Sequence, residues 1–160
     1  EGVTGSSSAF GRMETIEAGG KTILLALVKN PVGLSEVIRT ICSEGLDKTL
    51  IICLNDNFAD GRDISWIWDA DMEQLSRDPR LTRTIVASGT RAEDMAIRLK
   101  YAGIEQGKIE VEPDLEKALE LGLGKLAPGE TLYILPTYTA MLEIREYIRR
   151  KGHAREFWRA

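Results

Sequence analysis

The sequence predicts an α/β fold: a mainly parallel, Rossmann-like sheet of about five to six strands with helices on both faces. Short apolar runs alternate with stretches of helical periodicity five times along the chain. The runs are apolar at nearly every position, which marks strands buried on both faces. Connections of ordinary length between such alternating elements mean parallel strands joined by right-handed crossovers.

Residues 1–9 are rich in Gly and Ser and read as a flexible lead-in. Phe10 to Glu17 reads as a short extended piece, and Ala18-Gly19-Gly20 as a turn. The first strong strand is Thr22 to Val28, stopped at Lys29-Asn30-Pro31, with Gly33 letting the chain turn. Leu34, Val37, Ile38 and Ile41 then recur at helical spacing, and Gly45 closes that helix. Thr49 to Leu54 is the second strand. An acidic loop follows, and a helix resumes near Asp71 to Ser76, with Asp69, Asp71 and Glu73 at its start, where carboxylates favour the helix dipole.

Asp78-Pro79 is a turn and Thr84 to Ala87 the third strand. Ala92, Met95, Ala96 and Leu99 line the inner face of the next helix, with Gly103 and Gly107 as helix stops. Lys108 to Val111 is a weaker fourth strand. Pro113-Asp114 opens a helix with Leu115, Ala118 and Leu119 inward. After Pro128-Gly129 comes the fifth strand, Thr131 to Leu135, ended by Pro136; the last helix runs from about Thr139 to Arg150. The chain thus divides into a lead-in and junction over residues 1–20, an α/β domain over 21–152, and a basic, aromatic tail over 153–160.

At 160 residues and 43% hydrophobic, the chain suits one domain with a real core. Its net charge of -4 argues against a nucleic-acid binder, which needs a basic face for the phosphates. No apolar run approaches the roughly 20 residues that span a bilayer. The opening EGVTGSSS lacks the basic start and apolar middle of a signal peptide, so a cytoplasmic location is expected. Cys42 and Cys53 read as small buried hydrophobes, and no disulfide is expected in a reducing compartment. There is no CxxC, and His153 is the only histidine, so metal-ligand spacing is absent. A self-contained Cys–His or Ser–His nucleophile is hard to build from this set.

In such a sheet the C-terminal strand ends share one edge, and ligands bind there. The residues just past the strands are Lys29 and Asn30; Asn55, Asp56, Asp60 and Asp63; Ser88, Gly89, Thr90 and Arg91; and Pro136 to Thr139. Each has a purely structural alternative. Lys29-Asn30-Pro31 serves equally as a strand stop and helix cap. Ser88-Gly89-Thr90-Arg91 reads either as an anion cradle at a helix N-terminus or as a capped turn. Asp60 precedes Gly61 and fits an Asp-Gly turn. Asp63 precedes Ile64, Trp66 and Ile67, so the loop is pinned on one side while Asp63 projects on the other. Trp66 and Trp68 read as buried packing that supports this loop in preference to the alternative, a direct stack on a ligand.

Several segments resemble Mur ligases. FGRMETIEAGGKTILLALVKNPVGLSEVI is similar to the junction between their central ATPase domain and C-terminal domain. LNDNFADGRDISWIWDADME, SGTRAEDMAIRLKYAG, VEPDLEKAL and LPTYTAMLEI look more specifically like the C-terminal domain of the MurT family, the Mur-ligase-like subunits of lipid II isoglutaminyl synthase. The resemblance covers about residues 9–150. It implies a Mur ligase C-terminal domain type of fold, and a glutamine-dependent ligase that amidates the D-glutamate of the lipid II stem peptide at the inner membrane face. A GatD-like glutaminase subunit would supply the nucleophilic Cys and the His. The last Asp of the Asp-Gly-Arg-Asp run, Asp63, would be the third member of that triad. Lys29, Asn30, Asp56, Asp60, Thr90 and Arg91 would face the nucleotide and substrate cleft. ATP and Mg²⁺ would belong to the full subunit and zinc to its central domain, leaving this chain without a cofactor and inactive alone. Two alternatives stand beside this reading: a stand-alone nucleotide- or metabolite-binding module, and a docking domain without a catalytic residue.

Overall fold

The computed structural model describes residues 13–151. Six strands form one sheet: β1 (Met13–Ala18), β2 (Lys21–Ala26), β3 (Lys48–Cys53), β4 (Thr82–Ser88), β5 (Ile109–Val111) and β6 (Thr131–Pro136). Their order is β1-β2-β6-β3-β4-β5. β1 and β2 form an antiparallel hairpin, and every other neighbouring pair is parallel. The helices are α1 (Pro31–Cys42), α2 (Ala92–Tyr101), α3 (Leu115–Gly124) and α4 (Tyr138–Arg150).

Alternate residues of each strand face opposite sides of the sheet. On β3, Leu50 and Ile52 pack with Leu34, Val37, Ile38 and Ile41 of α1 and with Met95 and Leu99 of α2. Ile51 and Cys53 pack on the other side with Leu115, Ala118 and Leu119 of α3 and Ile144 and Ile148 of α4. Two cores, one per face, thus account for the continuous apolar strands. Parallel pairing aligns the C-terminal ends of β2, β6, β3 and β4 along one edge, so that Cys53 sits opposite Ser88 and Pro136. Among the described residues, no helix is long and apolar enough to cross a membrane.

Local caps explain where helices begin. Asn30 is extended and its Oδ1 accepts from the Gly33 N–H at 2.8 Å, with Pro31 opening the first turn of α1. Asp114 Oδ1 does the same for Glu116 and Lys117 at the start of α3.

The extended piece expected before the first strand is met, and several other expectations are corrected. The extended piece before the first strand is β1, the edge strand of the sheet; its expected start at Phe10, like the tail over 153–160 with His153, lies outside the described residues. β2 ends at Ala26, two residues before Val28, although the Val28 N–H still donates to Pro136 O at 3.0 Å. The helix expected over Asp71 to Ser76 is a 3-10 turn, Met72–Ser76, preceded by two more, Phe58–Asp60 and Ser65–Asp69. Such short turns carry no macrodipole to reward the acids, and Asp69, Asp71 and Glu73 have other surroundings. Lys108 and Gly107 belong to a further 3-10 turn, Gln106–Lys108, so Gly107 stops no helix and β5 begins at Ile109.

The opposite, N-terminal edge of the sheet is tied by charge. Arg83 donates to Asp47 Oδ2 at 2.7 Å, to both carboxylate oxygens of Glu130 at 3.0 Å, and to Lys125 O at 2.8 Å. Hydrogen bonds from Arg83, then from the Ala127 N–H, hold the Glu130 carboxyl down at about 2. A depressed carboxylate contributes stability above its unfolded pKa and loses it as pH falls through the folded one. Stability is therefore expected to decline from about pH 4.5 to about pH 2, and Glu130→Gln to flatten that decline. Urea midpoints measured across this range check it.

Candidate functional site

The site lies on the C-terminal edge of the sheet and is organised by Asn55, the second residue past β3. The residue is 4% exposed, and its side-chain amide is hydrogen-bonded at both its oxygen and its nitrogen. Oδ1 accepts from the Thr90 N–H at 2.9 Å, Nδ2 donates to Thr139 Oγ1 at 2.8 Å, and its backbone N–H donates to Thr137 Oγ1 at 3.0 Å. One buried amide thereby joins the loops after β3, β4 and β6. Burial makes these bonds costly to lose, because an unpaired polar group there has no water to turn to.

Thr137 occupies the N-cap position of α4, but its hydroxyl is taken up by Asn55 instead of capping the helix. Asp60 takes over from a distance. Its Oδ1 accepts from the Thr139 N–H at 2.8 Å, and its Oδ2 accepts from the Thr139 hydroxyl at 2.6 Å and the Asn57 N–H at 3.1 Å. Asp60 thus closes the Asp-Gly turn (Gly61 has φ +91°) and staples the acidic loop to α4. Asp60→Ala is expected to lower stability by about 1–2 kcal/mol, the range for losing a helix cap, as a shift in the urea midpoint.

The remaining nominated residues separate into distinct places. Lys29 and Asp60 line a cleft of about 870 Å³ with Thr137, Tyr138, Met141 and Arg145. Asn30 is committed to capping α1. Asp56 accepts from Arg91 at 2.9 Å and from the Thr90 hydroxyl at 3.1 Å, and the Arg91 hydrogen bond is the main cause holding its carboxyl below the usual range. Arg91 also donates to Asp94 at 2.7 Å. Thr90 lines a second hollow with Asn55, Asn57 and Gly89.

The anion-cradle reading of Ser88 to Arg91 fails on hydrogen bonding. The Gly89 N–H donates to Pro113 O, Thr90 to Asn55, Arg91 to Leu54 O, and Ala92 to Gly89 O. These donors are already used within the chain, and the segment is a tightly bonded turn. Among the described residues, no group of three or more His, Cys, Asp or Glu side chains is arranged to hold a metal ion.

Asp63 stands apart from this network. It is exposed, and its Oδ1 accepts from the Ser65 N–H at 2.9 Å. That bond, reinforced by the Ser65 hydroxyl, lowers its pKa, so the carboxylate is ionised at neutral pH. The loop therefore presents a fixed, oriented negative charge to solvent. Trp66 is partly buried against the core formed with α1 and α2. Trp68 departs from the expected buried packing: it is 47% exposed, lies under Arg98 at 5.1 Å, and meets Tyr101 edge-on at 5.8 Å.

Sequence reasoning missed Arg98 altogether and gave Asn55 no role. The signal for Arg98 was its place three residues after Met95 and beside Leu99, which puts a cation on the border of an apolar helix face.

Comparison with known proteins identifies the family of the chain. The MurT ligase C-terminal family model matches residues 27–141. The chain is 41% identical over 148 residues to the lipid II isoglutaminyl synthase (glutamine-hydrolyzing) subunit MurT of Streptococcus pneumoniae (strain ATCC BAA-255 / R6), covering 92% of this chain and 32% of that protein. It is 39% identical over 144 residues to the protein of the same name from Staphylococcus aureus (strain COL), covering 90% and 32%. The chain thus spans about a third of the length of these relatives. In fold it is similar to E. coli FolC (TM-score 0.58, 11% identity, 89% of this chain and 32% of that one). It is also similar to a UDP-N-acetylmuramoyl-L-alanyl-D-glutamate–2,6-diaminopimelate ligase (TM-score 0.54, 14% identity, 89% and 32%). With the family model matching most of its length, the chain belongs to the MurT ligase C-terminal family.

Proposed function

We propose that this chain is the C-terminal domain of the synthetase subunit of a glutamine-dependent amidotransferase, one that converts the D-glutamate of the lipid II stem peptide to D-isoglutamine. Its own contribution is Asp63, offered to the Cys–His pair of a separate GatD-like glutaminase subunit. There the thiolate attacks the amide carbon of glutamine, the imidazolium gives its proton to the departing nitrogen so that ammonia leaves, and water hydrolyses the resulting thioester to glutamate and the free thiol. Asp63 orients the partner's imidazole and stabilises the imidazolium, the role of the acid in such triads. In this reading ATP and Mg²⁺ serve the full subunit and zinc its central domain, while the cleft containing Lys29 and Asp60 faces those domains. The protein works in the cytoplasm, on lipid II at the inner membrane face.

The observation that carries the proposal is the state of Asp63: exposed, held by Ser65 and ionised, and among the described residues in no ion pair. Neighbouring Asp56 and Asp60 are spent on internal bonds. Relatives named for glutamine hydrolysis supply the reaction in which such a charge has a use. The deciding measurement is glutamine hydrolysis by the full subunit carrying Asp63→Asn, assembled with its glutaminase.

A further inference from the structure

Resting on that reading of Asp63, we infer that Arg98 of α2 is the positioning residue that fixes the Asp63 loop for work in the partner's active site. The segment containing Asp63 is held from both sides, and beyond Arg98's contacts it is also tied to α1 through Ser35. Upstream, Asp60 is bonded to Thr139 at the start of α4. Downstream, Arg98 enters from α2 with its side chain 3% exposed. Its Nε donates to Ile67 O at 2.8 Å, and its terminal nitrogens donate to Ala70 O at 2.8 Å and to the Glu73 carboxylate at 3.1 and 3.2 Å. The Trp68 ring lies against the guanidinium at 5.1 Å.

The carbonyls held by Arg98 belong to the 3-10 turn Ser65–Asp69 and to its C-cap, Ala70. The turn begins with Ser65, whose N–H orients the Asp63 carboxylate. A guanidinium is suited to this task because its planar donors reach both carbonyls and the carboxylate at fixed angles, which an ammonium cannot reproduce. The buried cation also links the apolar face of α2 to a loop whose other core anchors are the apolar side chains of Ile64, Trp66, Ile67 and Ala70. Arg98 therefore acts on the chemistry only through Asp63. A displacement of order 1 Å in a reacting group is enough to cost roughly 100-fold in rate.

The test uses the full subunit assembled with its glutaminase and compares Arg98→Lys, Asp63→Asn and the double variant. Arg98→Lys is expected to lower kcat for glutamine hydrolysis roughly 10- to 100-fold with KM unchanged. Amide synthesis driven by added ammonia should stay at the level of the unsubstituted protein. The double variant should be no slower than Asp63→Asn alone, because the two residues act in series. Glu73→Gln, a milder change at an exposed carboxylate, should give a smaller loss of the same kind, and so covers the case in which Arg98→Lys fails to fold. Multiplicative losses in the double variant, or normal hydrolysis by both Arg98→Lys and Glu73→Gln while Asp63→Asn is inactive, would overturn the positioning role alone. Normal hydrolysis by Asp63→Asn would overturn both the triad reading and this inference.

Discussion

Asp63→Asn in the full subunit is expected to reduce glutamine hydrolysis by the assembled complex about 10²- to 10⁴-fold, the scale on which a triad fails when its acid becomes an amide. The substitution is close to isosteric, and Asn retains the Oδ1 acceptor that receives the Ser65 N–H, so the loop should keep its shape. What disappears is the charge. An amide can place its NH₂ toward the partner's imidazole and select the wrong tautomer, and it cannot stabilise the imidazolium. Two further readouts separate this from simpler explanations. Association with the glutaminase should be unchanged, because the surface is altered by one atom. Synthesis supported by added ammonia should also be unchanged, because that route bypasses the glutaminase. Weakened association with normal turnover per complex would instead make the loop a docking surface. Since Ser65 lowers the Asp63 pKa, the carboxylate is fully ionised throughout the neutral range. The acid limb of a glutaminase pH profile near neutrality should therefore come from other groups.

The parts of this fold legible in the sequence are those set by local or one-dimensional rules. Continuous apolar runs located β2, β3, β4 and β6, and helical spacing located the inner faces of α1 to α4, because burial on two faces leaves a direct pattern. The Asn30 and Asp114 caps were similarly close at hand, since each acts within three residues of itself. The region from 58 to 76 escaped because its partners are remote. The Asp71 N–H donates to Ser35 Oγ and the Gln74 side chain to Ser35 O, on α1. Arg98 holds Ile67 and Ala70 from α2. Asp60 caps a helix 79 residues further along the chain. Long-range bonds of this kind outweigh the helical tendency of the segment's own residues. The site followed the same division. Strand ends named the residues at the edge, including Asn55 and Asp60, but could not say which would be consumed in joining loops and which would be left facing outward.

Gly89→Ala is expected to destabilise the domain by roughly 3–5 kcal/mol, combining backbone strain with overpacking. For a chain of this size that corresponds to a fall in Tm on the order of 10 °C or more. Gly89 has φ +97°, outside the range an L side chain adopts at low cost. A Cβ there would lie 2.6 Å from Leu54 O, 2.7 Å from Asn55 Oδ1 and 2.8 Å from Leu54 C. None of these atoms can step aside independently. Leu54 O accepts the Arg91 N–H at 2.9 Å, and Asn55 Oδ1 accepts the Thr90 N–H at 2.9 Å. Relieving the clash therefore pulls apart the turn after β4 and the amide that joins three loops. Gly129→Ala supplies the comparison: φ is +87° there, but nothing lies within 4 Å of the added carbon, so only the conformational cost of about 1–2 kcal/mol remains. The difference between the two variants in thermal unfolding isolates the close approach from the backbone strain. Equal losses would mean that contact with Leu54 and Asn55 contributes nothing. A much larger loss at Gly89 would show that the strand-end loops are joined so tightly that only a missing side chain lets them meet.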